Sequence, residues 1–185
     1  MQKGGFILKN GLVPTKVNGN TYKFPKTMMD AVKTAADAGI HGNCTWIMAY
    51  PGEELKHLKT SVAFILWQQQ FWTKGYLSGT PDYERFKDGV NRKMFTATAY
   101  PGTEMWRVVR KDLKRHFDIE YDSFGDPVCD DNFHRYVLEL DDATKILNNK
   151  NGDPVNFGDM PIDQFLQVRE YVDSDQIDKI LDMKE

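Results

Sequence analysis

The sequence predicts an α/β fold, and three observations carry that expectation. The middle of the chain alternates helical and strand patterns, which argues for parallel strands joined by crossover helices. Its two strands are continuously apolar, without alternation, as strands covered on both faces are. Each strand also runs into the same four residues: "AYPGEELKHL" begins at Ala49 and "AYPGTEMWRV" at Ala99.

The chain has 185 residues, 41% of them hydrophobic and 28% charged, an ordinary globular balance for one domain or a large piece of one. Its net charge of −3 gives no general attraction to nucleic acid or anionic lipid. There is no apolar run of membrane-spanning length and no secretory pattern in "MQKGGFILKNG", so neither a membrane partner nor export is expected. The two cysteines, Cys44 and Cys129, make no disulfide framework, and a cytoplasmic location is the expectation.

Residues 1–24 form a β-hairpin segment. They hold Asn10-Gly11 and Asn18-Gly19, and Asn-Gly between short apolar runs is a hairpin signal because both residues tolerate positive φ. These hairpins read as edge decoration outside the core. Residues 25–117 carry the alternating units. A helix starts at Pro25 with Met28, Ala31, Val32, Ala35 and Ala36 on one face, and Gly39 caps it. The first strand spans Cys44 to Tyr50. A long helix follows from Glu53 to Thr73, with Leu55, Leu58, Val62, Ile65 and Leu66 inward. "KGYLSGTPDY" breaks it, and the second strand spans Met94 to Tyr100.

The next helix sets Met105, Trp106, Val109 and Leu113 on one face and Arg107, Arg110, Lys111, Lys114 and Arg115 on the other. That basic run reads as a solvated face, with contact to RNA or phosphate as the alternative. Residues 118–185 form a loop-rich and helical extension, polar around Pro127, Gly152 and Pro154. It ends in two short helices, "MPIDQFLQVREYV" with Pro161 near its start and "SDQIDKILDM" capped by Ser174.

The repeated turn sits at the carboxyl end of each strand, the edge of an α/β sheet where ligands bind. Pro fixes φ and Gly lets backbone approach a ligand. Glu53 and Glu104 fall in the first helical turn, where negative charge suits the helix dipole. The same residues also make plain strand-to-helix punctuation.

Other patterns carry less chemistry. His41 and Cys44 form one H-x-x-C pair without a second, so Cys44 reads as a small core residue. His57 follows Glu53 by four, as a surface pair would. Asp130 and Asp141 read as polar loop or helix cap in preference to a cation site. Four scattered histidines give no Ser-His-Asp order, and no glycine-rich phosphate loop is present.

"AGIHGNCTWIMAYPGEELKHLKTSVAFI" resembles the fifth βα unit of the radical S-adenosylmethionine (radical SAM) enzymes, and "FTATAYPGTEMWRVV" resembles the sixth, most of all in the cobalamin-dependent branch. The resemblance covers about 25–117 and implies an incomplete parallel (β/α) barrel, a TIM-barrel-like fragment. It implies S-adenosylmethionine as cofactor, with Ile47, Ala49, Tyr50, Ala97, Thr98, Ala99 and Tyr100 bordering or lining the approach to its adenine. Ile47 matches the apolar residue against the adenine, and Ala49 stands where the family has Gly.

The family binds its iron–sulfur cluster through CxxxCxxC, a spacing absent here. "MQKGG" resembles the segment that closes the fourth unit, so the frame reads as one that begins after it. The resemblance thus implies a fragment inactive by itself, with the cluster on a partner N-terminal half. The alternative is a non-catalytic binding or assembly module. The strand edges of an incomplete barrel also lead us to expect a homo-oligomer paired through one of them, or a cover of that edge by the hairpin or the tail.

Overall fold

The computed structural model describes residues 11–40, 44–140 and 146–185. The Asn10 turn, His41 and Asp141 lie outside the described residues. Strands β1 (Leu12–Val17) and β2 (Asn20–Pro25) pair antiparallel, with Val17 opposite Asn20. The two residues between them, Asn18 and Gly19, have φ of 48° and 84°, the left-handed pair that a tight hairpin turn requires. Helix α1 (Lys26–Asp37) follows, with Pro25 as its N-cap residue. Gly39 ends it at φ 71°, and the N–H of Ile40 returns to the carbonyl of Ala35.

Strand β3 (Trp46–Met48) leads to helix α2 (Leu55–Thr73), helix α3 (Pro81–Asp88) and strand β4 (Met94–Thr96). The strands β3 and β4 are adjacent and parallel, with the Ala97 N–H donating to the Met48 carbonyl at 2.8 Å. Then come α4 (Glu104–Val108), α5 (Arg110–Phe117), α6 (Asp131–Glu139), α7 (Ile162–Asp173) and a 3-10 turn (Ile177–Asp182). The architecture is mixed α/β. Among the described residues the strands form two sheets of two strands each, and no barrel closes.

The chain divides into two units. The first comprises 1–46, 55–93 and 168–185; the second comprises 47–54 and 94–167. In the first unit the core is aromatic. Phe24 and Phe64 are fully buried, with ring centroids 5.1 Å apart, edge to face. Trp67 and Trp46 lie 5.0 and 5.7 Å from Phe64. The hairpin is therefore part of this core and not an edge decoration, because Val17 and Phe24 turn inward from its two strands. The 3-10 turn belongs to the same unit: Ile177 and Ile180 are fully buried, and Arg92 donates to the Asp175 carbonyl at 2.9 Å. Ser174 does not cap that turn. Its hydroxyl donates back to Glu170 at the end of α7.

Three elements depart from the sequence expectation. Helix α3 carries no fully buried residue; its apolar stripe is short, the half-buried Tyr83 and Phe86. Its signals are the Thr80 hydroxyl, which accepts from the Tyr83 N–H, and Pro81 in the first turn. The helix after the second Pro-Gly turn is two helices, α4 and α5. They break at Val109 (φ −93°, ψ 16°), the second of two β-branched residues in a row. Helix α6 occupies what reads as loop. Asp130 caps it through its carboxylate, 2.9 Å from the Phe133 N–H, as the cap reading expects.

A second repeat underlies the tail of the second unit. "DSFGDPV" (122–128) and "NKNGDPV" (149–155) fold into equivalent hairpins. In each, the first side chain accepts from backbone N–H groups two and four residues on: Asp122 from Phe124 and Asp126, Asn149 from Asn151 and Asp153, all at 2.9 Å. Gly125 and Gly152 sit at φ 83° and 85°. Bridges Tyr121–Pro127 and Asn148–Pro154 close the two. The shared Asx-turn chemistry explains why the two stretches adopt one shape.

The aromatic core gives a direct test. Phe64→Ala removes the ring that touches Phe24, Trp46 and Trp67, and is expected to cost about 3–5 kcal/mol in urea unfolding. A loss near zero would show that the cluster is not what holds the hairpin in place.

Candidate functional site: the carboxyl ends of the parallel strands

Both Tyr-Pro-Gly sequences make the same backbone turn. Pro is second and Gly third, with φ of 82° at Gly52 and 84° at Gly102, the geometry of a type II turn. The N–H of Glu53 closes the first turn on the Tyr50 carbonyl at 2.8 Å. The N–H of Thr103 closes the second on the Tyr100 carbonyl at 3.2 Å.

Their surroundings differ. At the second turn Thr103 is the helix cap, accepting from the Trp106 N–H at 3.2 Å. Glu104 lies in the first turn of α4 and pairs with Arg107 at 3.3 Å on the surface. The dipole role expected of Glu104 is thus available to it. Glu53 behaves otherwise. It precedes α2, is only 8% exposed, and its carboxylate accepts from the Ala49 N–H at 2.5 Å. It is therefore not the surface partner read from its spacing to His57. Burial pushes the Glu53 carboxyl up from its ordinary value, and the Ala49 N–H opposes that shift.

Ala49 is held at φ 63°, a left-handed conformation that suits Gly and strains alanine. The residue is fully buried. The segment Val155–Met160 lies over it. A methyl group on Gly158 would stand 3.2 Å from the Ala49 Cα and from the Glu53 carbonyl oxygen, so the close approach depends on glycine. The Asp159 N–H donates to the same Glu53 carbonyl at 2.9 Å. At the second strand Tyr136 of α6, 1% exposed, donates its hydroxyl to the Ala99 carbonyl at 2.7 Å. Burial pushes the Tyr136 phenol well up, so it stays a donor.

The expected site residues therefore split. Ala49, Ala97 and Ala99 are buried, Tyr50 packs against the apolar cluster of the second unit, and Thr98 is half-buried with its hydroxyl on the Thr96 carbonyl. Ile47 is 57% exposed between buried Trp46 and Met48, and Tyr100 is 45% exposed. Strand β3 is thus covered on one face only, against the expectation from its apolar run. Its sequence is apolar on both faces, but no described element covers the Ile47 side. Tyr136 and Gly158 escaped the sequence reading, since each acts on a residue far away in the chain, and so did Asn156, which braces the local turn around Gly158; the repeated G-D-P-V was the available signal.

In the first unit, Cys44 lines an apolar groove of about 250 Å³ with Met28, Ala31, Val32, Ala35, Phe64 and Gln68. Burial raises its thiol pKa, which suits a neutral packing residue and not a thiolate ligand. Among the described residues no group of three His, Cys, Asp or Glu is placed to hold a metal ion. With two cysteines in 185 residues, the donor set of the family's CxxxCxxC cluster does not fit this chain. Among the described residues no helix is long and apolar enough to cross a membrane. No protein-family model, curated protein or solved structure matches the chain.

Two substitutions test the strand ends. The folded chain holds the Glu53 proton more tightly than the unfolded chain does. The stabilisation this brings is complete below the ordinary glutamate range and is lost as pH rises through the raised folded value. Glu53→Gln keeps an acceptor for Ala49 without the titration. Wild type should therefore lose stability relative to this variant as pH rises towards neutrality, read by urea melts across pH; a relative gain contradicts the argument. Tyr136→Phe strips the Ala99 carbonyl of its donor and is expected to cost about 1–3 kcal/mol in the same melts.

Proposed function

We propose that this chain supplies the adenine-bordering strands of a radical SAM enzyme, with the cluster ligands carried by another segment or a partner chain. The observation that carries the reading is Ile47, an isoleucine left 57% exposed at the centre of a parallel strand whose neighbours on either side are buried. Leaving such a side chain 57% exposed forgoes part of the roughly 1.5–3 kcal/mol that full burial brings, so an apolar partner on that face is favoured. An adenine ring is such a partner, and Ile47 is the residue that the family resemblance assigns to it.

In this reading Ile47 packs against the adenine, and the backbone of Ala97, Thr98 and Ala99 borders it. Tyr50 and Tyr100 stand at the mouth. S-adenosylmethionine, when bound beside a reduced cluster, supplies radical chemistry that this chain's own residues do not. Their part is to shape an apolar wall that excludes water.

A second reading has its own support. Ala49 and Ala99 are closed over by the chain's own Gly158 and Tyr136, as suits a binding or assembly module that no longer takes a ligand at the strand ends. The exposed Ile47 face would then pair with another protein surface, a second copy included.

Methyl NMR of the isoleucine-labelled protein separates the two. The radical SAM reading expects the Ile47 methyl resonance to move when S-adenosylmethionine is added in large excess, and Ile47→Asp to abolish the accompanying shifts of neighbouring backbone amides while leaving the melting temperature within experimental scatter. An Ile47 signal that ignores the ligand overturns that reading. One that instead moves on dilution of the protein supports the assembly module.

A further inference from the structure

We propose that the apolar groove on helix α1 receives Phe6, Ile7 and Leu8 of the same chain, from the residues that precede those described. The groove, about 250 Å³, is lined by Met28, Ala31, Val32 and Ala35 of α1, with Cys44 and Phe64 opposite. Helical spacing assigns Met28, Ala31, Val32, Ala35 and Ala36 to one inward face. Of these Val32 alone is buried; Met28, Ala35 and Ala36 are half-buried and Ala31 is exposed. The described residues thus leave most of that face without a cover.

The tether points to residues 1–10 as the cover. The Gly11 carbonyl accepts the N–H of Lys26, the first residue of α1, at 3.1 Å. Whatever precedes Gly11 therefore starts at the Met28 end of the groove. Gly11 has φ 81°, a conformation that lets the chain leave the line of β1. In "MQKGGFILKN" the apolar side chains Phe6, Ile7 and Leu8 stand in a row between Lys3 and Lys9. An extended chain spans at most about 3.6 Å per residue, so Leu8 reaches roughly 11 Å from Gly11 and Phe6 roughly 18 Å. Along α1, at about 1.5 Å per residue, Ala35 lies about 10 Å beyond Met28. The three side chains can therefore meet the whole length of the groove.

Other occupants fit less well. Small-molecule sites usually offer roughly 300–1,000 Å³, more than this groove holds. A stable interface with a second copy needs about 800 Å² on each partner. Lys33, Thr34 and Asp37 are exposed on α1 and limit the apolar strip to less than that. A tethered segment needs far less area, because its short linker keeps its effective concentration high.

This inference is independent of the S-adenosylmethionine reading, and Cys44 reports on it. Its thiol is half-buried in the groove, while Cys129 is exposed in the other unit. Alkylation of the intact protein by iodoacetamide, resolved by peptide mass, follows both. Phe6→Asp combined with Leu8→Asp should speed Cys44 by about tenfold, the effect of a 1.4 kcal/mol change in the docking equilibrium, and leave Cys129 unchanged. An equal Cys44 rate in wild type and variant overturns the proposal. So does a wild-type rate that rises on dilution, which assigns the groove to a second copy. A second variant covers a general loss of folding. Leu8→Cys with Cys129→Ser leaves one thiol at position 8 and one at Cys44. A short bifunctional maleimide should join them within one chain, at the mass of a single protomer; a link only between chains, or no link, overturns the proposal.

Discussion

The buried carboxylate of Glu53 governs the end of strand β3. By accepting the Ala49 N–H it holds an alanine at φ 63°, where glycine is the relaxed residue. That local strain costs on the order of 1 kcal/mol, and a buried charge-assisted hydrogen bond offsets it. The direction of the chain through Tyr50, Pro51 and Gly52 follows from this bond, and so does the placement of the Glu53 carbonyl that receives Asp159. A carboxylate in this position is neither a surface partner nor a helix-dipole residue. It serves as a bracket between strand and turn.

The two Ala-Tyr-Pro-Gly copies show how far a repeated sequence dictates repeated structure. Four identical residues produce the same type II turn twice, because Pro and Gly set φ locally. What happens next depends on the following residue. Thr103 caps a helix at once, and Glu53 folds back on the strand before α2 begins. The G-D-P-V pair behaves likewise: the hairpins share their Asx-turn bonds, while one is followed by a helix that brings Tyr136 to Ala99 and the other by the segment that brings Gly158 to Ala49.

These covers bear on function. A ligand site at the carboxyl edge of parallel strands needs access to backbone there, and three of the seven expected residues are buried by their own chain. Ile47 and Tyr100 remain open. The two ends of the sheet thus differ: the Ile47 face is open, and the Ala49 end is closed by the chain itself. The cysteine content sets a separate limit: with two cysteines, the chain does not hold the donor set of a CxxxCxxC cluster.

Local rules were legible in the sequence. The Asn18-Gly19 turn, the cap at Gly39, the two Pro-Gly turns and the Asp130 cap each depend on the φ preference or hydrogen-bonding reach of residues close together in the chain, while the parallel pair β3 and β4 was legible from two apolar runs a crossover apart. Tertiary structure alone decided which faces were covered. Phe24 became core, Ile47 stayed exposed, helix α3 formed with only a half-buried face, and Gly158 met Ala49 across more than a hundred residues. The physical reason is that burial is a property of pairs of surfaces: a residue's own chemistry says what it tolerates, and only the folded chain says which surface lies against it.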